Sequence, residues 1–240
     1  MSSMRLASLA VLSCVGCEFF AGTNEPWPLE ASTGGETTAP DTNPVGDVCP
    51  TTTLGHKPHT RIANLKFQGY KANGTSVIAP QGDLATISLC DYFNPNGKNG
   101  NYKLLHLTGA ARWCGPCSVE TSGISGYDGT RNGPGIAANL APLGVVFLQV
   151  VFESEKFGTP ATVNDLQIWM TGHQSNFASV IDPGPTALHD FTDAHILPIN
   201  VDIDLRSMEI LNATTGASPS LEDDLKGLLT TLSNTPPMKN

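Results

Sequence analysis

Residues 143–152 read LGVVFLQVVF, a run whose one polar side chain is Gln149. A strand built from it has no face fit for water, so it belongs inside a sheet that is covered above and below. Shorter apolar stretches surround it. Residues 62–68, 84–89, 102–108 (YKLLHLT) and 177–181 read as strands, and Asn94-Pro95-Asn96-Gly97 marks a turn. Thr159-Pro160 opens a helix carrying Leu166, Ile168, Trp169 and Met170. Pro198 begins an alternating run, 199–203, that pairs with 208–211 as a hairpin. Residues 219–232 close the chain as an amphipathic helix with Leu221, Leu225, Leu228, Leu229 and Leu232 near one face. Strands alternating with helices and ending in a hairpin plus helix predict an α/β fold. Its central mixed β-sheet is flanked by helices, with the earliest strands as an N-terminal β extension.

The length of 240 residues accommodates one domain and an appendage. The net charge of −9, with no cluster of Lys and Arg, argues against a nucleic-acid partner, because phosphate binding needs concentrated positive charge. Residues 6–15 form an apolar run that is too short to span a bilayer but suits the core of a signal peptide. It ends in Cys14 and Cys17, as in a bacterial lipoprotein signal, where a small residue precedes a cysteine that becomes lipid-modified. Ser13-Cys14 and Gly16-Cys17 both qualify. Cys17 is favoured because it leaves a longer apolar core and an even set of cysteines: Cys49, Cys90, Cys114 and Cys117. An ordinary secretory signal gives the same extracytoplasmic address without the lipid. The expected organisation is a signal at 1–17, a flexible tether at 18–48 with too few apolar residues to fold, and a folded domain at 49–240.

Residues 113–117 read WCGPC, directly after the strand 102–108 and ahead of a helical pattern. A thiol attacks only as a thiolate, and a helix N-terminus lowers a thiol's pKa through its unpaired N–H groups and partial positive charge. Two intervening residues bring the sulfurs within bonding reach. Cys114 is then the attacking thiol and Cys117, one turn in, resolves the mixed disulfide. Pro116 fits the first turn, where its missing N–H costs nothing. Zinc is disfavoured because it needs four ligands and one cysteine pair remains here. His56 and His59 read as surface histidines, and no metal or cofactor is expected.

WCGPC, the apolar strand before it and Glu120 three residues after Cys117 resemble the thioredoxin superfamily, and within it the extracytoplasmic TlpA/ResA-like thiol–disulfide oxidoreductases. The resemblance covers roughly residues 60–233. It includes residues 145–152 as the central strand, Asp182-Pro183 as the turn after a strand, and Leu197-Pro198-Ile199 at the family's cis-proline position. It implies a thioredoxin-like fold for 49–240. Pro198 would be cis and face the cysteine pair, and Leu197 would offer its backbone to the substrate. Glu120 would tune the thiols or accept a proton from Cys117, and Trp113 would shield the site. A solvated first-turn glutamate, a trans proline at a strand start and a packing tryptophan are the plainer alternatives. Two departures stand out. Ser122 replaces a family proline, and glycines break the helix after Cys117, with residues 127–134 inserted as a loop.

The resemblance implies a membrane-tethered oxidoreductase acting on disulfide-containing extracytoplasmic proteins and recharged by a membrane thiol donor. Gly115-Pro116 between the cysteines resembles the reducing members, whose thiol pKa stays near 7 as in thioredoxin. Cys49 and Cys90 either form a structural disulfide or relay electrons to the first pair. A copper-binding assembly factor is one alternative, with His195 close to Pro198 as a third ligand. A thiol peroxidase is another, disfavoured because its activating motif is absent around Cys114. His106, His173, His189 and His195 read first as core-edge or surface histidines.

Overall fold

The computed structural model of the chain describes residues 40–72, 84–127, 129, 133–182, 187–191 and 196–238. Cys14, Cys17, Pro183 and His195 lie outside the described residues, as do the signal and most of the tether. The described residues belong to one compact unit, Ala39–Asn240.

Seven strands form one sheet. They are β1 (Lys66–Tyr70), β2 (Ala85–Ser88), β3 (Leu104–Ala111), β4 (Val145–Glu153), β5 (Ala178–Ile181), β6 (Ile199–Asp204) and β7 (Glu209–Thr215). Their order is β2-β1-β5-β4-β3-β6-β7, so the run that no water-facing strand could hold is the middle strand. β3, β4 and β5 are parallel, whereas β6 and β7 on one side and β1 and β2 on the other run antiparallel. The β1–β2 hairpin is the expected N-terminal extension, joined to β5 at the sheet's edge.

Alternate residues of β4 serve opposite faces. Val145, Phe147 and Val151 pack with residues of α1 (Gly115–Ser125), α2 (Gly135–Leu140), α3 (Val163–His173) and α4 (Leu221–Asn234). Leu148, Val150 and Phe152 turn to the other face, where Cys49, Ile62, Leu89, Cys90, Phe93, Leu188 and Phe191 cover them. Burying one such aliphatic side chain contributes about 1.5–3 kcal/mol, so β4 is anchored from both sides. Among the described residues no helix is long and apolar enough to cross a membrane.

Three boundaries differ from the sequence reading. α3 starts at Val163, not at Thr159-Pro160. Pro160 still bridges Glu153 in extended backbone, and the Ala161 N–H donates to the Phe152 carbonyl at 3.0 Å. The start is set by Thr162, whose backbone N–H donates to Asp165 at 2.9 Å while its hydroxyl accepts from the Asp165 N–H at 3.3 Å, a capping box. α1 stops because Gly126 takes φ +80°, and a Cβ there would strike the backbone of Gly133 and Gly135. A second helix, α2, then follows directly after the segment read as an inserted loop, and it was not predicted from sequence. Finally, residues 41–48, which composition assigns to the tether, pack on the domain. Asn43 donates to the Phe93 carbonyl at 2.8 Å and accepts from the Asp47 N–H at 2.8 Å, while Lys66 pairs with Asp41 at 2.7 Å. These are polar attachments, which leave no trace in an apolar pattern.

Candidate active site

Every residue of β3 is buried, so the strand carries the chain rigidly to its C-terminal end and releases it at Arg112. Cys114 is the N-cap of α1. Its Sγ accepts the Cys117 N–H at 3.1 Å, and its carbonyl accepts the Ser118 N–H at 3.1 Å. Gly115 and Pro116 are exposed, while the sulfurs beneath them are buried and joined as a disulfide. When that bond is reduced, the same N–H and the helix terminus favour negative charge on Cys114.

The Leu197–Pro198 peptide bond is cis. β6 pairs Ile199 with Gly109 and Asn200 with Thr108, so the register sets Pro198 beside the last residues of β3. Leu197 packs against the apolar cluster that holds Cys114 and Cys117. The Pro198 carbonyl accepts the Gly216 N–H at 2.8 Å.

Glu120 is buried on the inner side of α1, not solvated. Its carboxylate accepts from Thr108 Oγ1 at 3.2 Å, from Asn200 Nδ2 at 3.1 Å and from the Ser218 N–H at 3.3 Å. Burial pushes its pKa above the ordinary value, and the His106 charge together with these donors partly offsets that rise. The residues below it form a polar layer between α1 and the sheet. His106 Nδ1 contacts Asp202 Oδ1 at 2.8 Å, and Gln149 links Thr121 at 2.6 Å to the Trp169 indole at 2.8 Å. Burial works against a charge on His106. The Asp202 bond and charge, with that of Glu120, outweigh it and hold the imidazole's pKa above its ordinary value.

Trp113 is 40% exposed at the rim, with its indole N–H donating to Glu153 Oε2 at 2.6 Å. Its ring lies 5.3 Å from that of the exposed Phe157. Arg112 pairs with Asp165 at 2.6 Å, tying the approach to the cysteines to the start of α3. Ser122 contacts His173 Nδ1 at 3.1 Å, and burial lowers the His173 pKa to about 4.

The structure therefore brings Trp113, Cys114, Cys117, Glu120, Leu197 and Pro198 to one end of β3. It does not bring Cys49 and Cys90 there. They are disulfide-bonded and buried in the cluster on the other face of the sheet. Glu153, Phe157 and Asp202 were not singled out by sequence, and His106, read there as a core-edge or surface histidine, is wholly buried. A signal existed for two of them. His106 and Asp202 are ionisable residues at alternating positions of strands whose every residue is buried, and such residues need partners.

A parallel strand that hands Cys-x-x-Cys to a helix N-terminus, beside a cis-proline that opens the next antiparallel strand, defines the thioredoxin-like fold. No family model matches the sequence, and a comparison with curated proteins finds no match. Among solved structures, the chain is similar to the thioredoxin domain of a thiol-disulfide oxidoreductase from Bacteroides vulgatus, with 11% identity, a TM-score of 0.47, and coverage of 72% of this chain and 97% of that one. It is also similar to an exposed lipoprotein thioredoxin of Streptococcus pneumoniae, with 18% identity, a TM-score of 0.42, and coverage of 70% and 99%. A secreted disulfide oxidoreductase of Mycobacterium tuberculosis gives 17% identity, a TM-score of 0.41, and coverage of 69% and 95%.

Proposed function

We propose that the chain is a membrane-tethered thiol–disulfide oxidoreductase that reduces disulfides of extracytoplasmic proteins through Cys114 and Cys117. The observation that carries this reading is the Cys117 N–H donating to Cys114 Sγ at the N-cap of α1. It is the arrangement that stabilises a thiolate at the N-terminal end of a pair able to close into a disulfide. The Cys114 thiolate attacks one sulfur of the partner's disulfide and expels the other as a thiolate, which takes a proton from water. Cys117, having lost its proton, attacks Cys114 and releases the second partner thiol. Two electrons pass to the partner, and the Cys114–Cys117 disulfide remains to be reduced again by a thiol donor at the membrane.

The address outside the cytoplasm is supported by the signal-like N-terminus and by the buried Cys49–Cys90 disulfide, since such bonds persist in oxidising compartments. Lipid attachment at Cys17, or at Cys14, belongs to the same reading. Two measurements test it. The full chain should accelerate insulin reduction by dithiothreitol, and its potential against glutathione should lie near that of thioredoxin, roughly −270 mV. A potential near roughly −120 mV, that of a strong oxidant, would reverse the direction. No acceleration with insulin would sink the activity itself.

A further inference from the structure

The disulfide chemistry leaves one element of the polar layer unused. His106 is wholly buried in the middle of β3, its Nδ1 held by Asp202 and its Nε2 without a partner among the described residues. Thr108, two residues on and therefore on the same face, donates to Glu120. On the neighbouring strand Asp202 and Asn200 repeat the pattern, one holding His106 and the other donating to Glu120. Glu120 and the His106–Asp202 pair thus share one layer. A carboxylate buried without nearby positive charge is costly, and an imidazolium in the same layer lowers that cost.

Asp202 also lines an open cleft of about 610 Å³ between β7 and α4, together with Asn212, Thr214, Gly216 and Ser218. The Ser218 N–H donates to Glu120, and Asn200 reaches the Gly216 carbonyl at 3.3 Å. Trp113, Cys114 and Leu197 are not among the cleft's lining residues. The layer therefore meets water at a place apart from the rim where a partner would sit.

We propose that the His106–Asp202 pair is a positioning element for the resolving thiol, keeping Glu120 able to take the Cys117 proton and pass it to water in the β7–α4 cleft while a partner covers Cys114. The inference rests on the proposed function. In the resolving step the Cys117 proton moves to the Glu120 carboxylate, the Cys117 sulfur bonds to Cys114, and the bond between Cys114 and the partner's sulfur breaks. Neutral Glu120 then loses its proton to the cleft. Each charge supports the other: His106 offsets part of the burial-driven rise in the Glu120 pKa, and Glu120 helps Asp202 hold the His106 pKa above its ordinary value.

Several other groups surround the pair. Asp204 on β6 is held by Arg206, and Glu209 stands at the start of β7. Asp223 and Asp224 of α4 line the cleft. His173 of α3 contacts Ser118 and Ser122 of α1, Glu153 of β4 is engaged by Trp113, and β4 otherwise offers the neutral Gln149. Besides Glu120, α1 and its N-cap carry Cys117 and Cys114 as thiols in the reduced chain.

Single-turnover reaction of the reduced full chain with DTNB separates the steps. The first thionitrobenzoate release reports attack by Cys114, and the second reports resolution by Cys117. His106→Gln and Asp202→Asn should leave the first release unchanged and move the pH midpoint of the second upward by about one unit, roughly a tenfold slowing on the acid limb. Thr214→Trp, which fills the cleft, should slow the second release several-fold and leave the first alone. An NMR titration of the unmutated chain, which needs no variant to fold, should find His106 still imidazolium at pH 7. A neutral His106 there overturns the inference, as do second-release profiles in folded variants that superimpose on that of the unmutated chain. A normal second release in Thr214→Trp removes the cleft from the route. Absence of the first release in the unmutated chain would overturn the proposed function, and this inference with it.

Discussion

Trp113 and Glu153 are joined across the ends of β3 and β4, the indole N–H donating to the carboxylate at 2.6 Å. Glu153 also accepts the Gly158 N–H at 3.3 Å, so one buried carboxylate holds both the tryptophan beside Cys114 and the loop that carries Phe157. Because the indole is fixed before any partner arrives, the rim of the site is preorganised.

Glu153→Ala leaves that indole N–H unpaired and frees the rim. The expected loss is about 2 kcal/mol of stability by denaturant titration, with a several-fold rise in KM for insulin and a much smaller change in kcat. Glu153→Gln keeps an acceptor and should restore most of both. An unchanged KM in folded Glu153→Ala would show that the rim makes no contact with substrate.

The Cys49–Cys90 disulfide lies on the face of the sheet opposite Cys114 and Cys117, so direct exchange between the two pairs is closed off. The bond ties ends separated by 41 positions. Replacing both cysteines by serine should therefore cost about 4 kcal/mol if the bond acts through the unfolded chain. Insulin turnover per folded molecule should not change. Loss of turnover in a folded double variant would favour electron relay between the pairs.

His173 bridges α3 to α1, and burial lowers its pKa to about 4 from an ordinary 6.5. A lowered histidine pKa means that the folded state favours the neutral ring. This contribution is complete above pH 6.5 and is lost as the pH falls through 4. His173→Gln removes the titration. Its stability should fall less than that of the unmutated chain between those limits, by up to about 2 kcal/mol after allowing for the ring's partial exposure. Parallel pH–stability curves for the two proteins would contradict this.

Much of the fold was legible because burial on both faces leaves a plain mark. The run at 143–152 became the middle strand, and the alternating run after Pro198 became one arm of the C-terminal hairpin. Boundaries set by polar contacts were not legible. Thr162 rather than Pro160 starts α3 through a side-chain cap, and Asn43 fastens a segment whose composition is that of a tether. The site divided the same way. Cys114 and Cys117 stood out because their chemistry is tied to short spacing, and Glu120 and Pro198 because of the resemblance to thioredoxin-like oxidoreductases. His106 pairs with Asp202 across 96 positions and Trp113 with Glu153 across 40, and no local pattern reveals such pairings.

The most direct measurement is trapping. Cys117→Ala in the full chain should form a stable mixed disulfide with a disulfide-bearing protein such as insulin, seen as a dithiothreitol-sensitive adduct on a non-reducing gel. Cys114→Ala should form none. An adduct through Cys117 but not Cys114, or none from either variant when both are folded, would contradict the assignment of Cys114 as the attacking thiol and with it the account of the site.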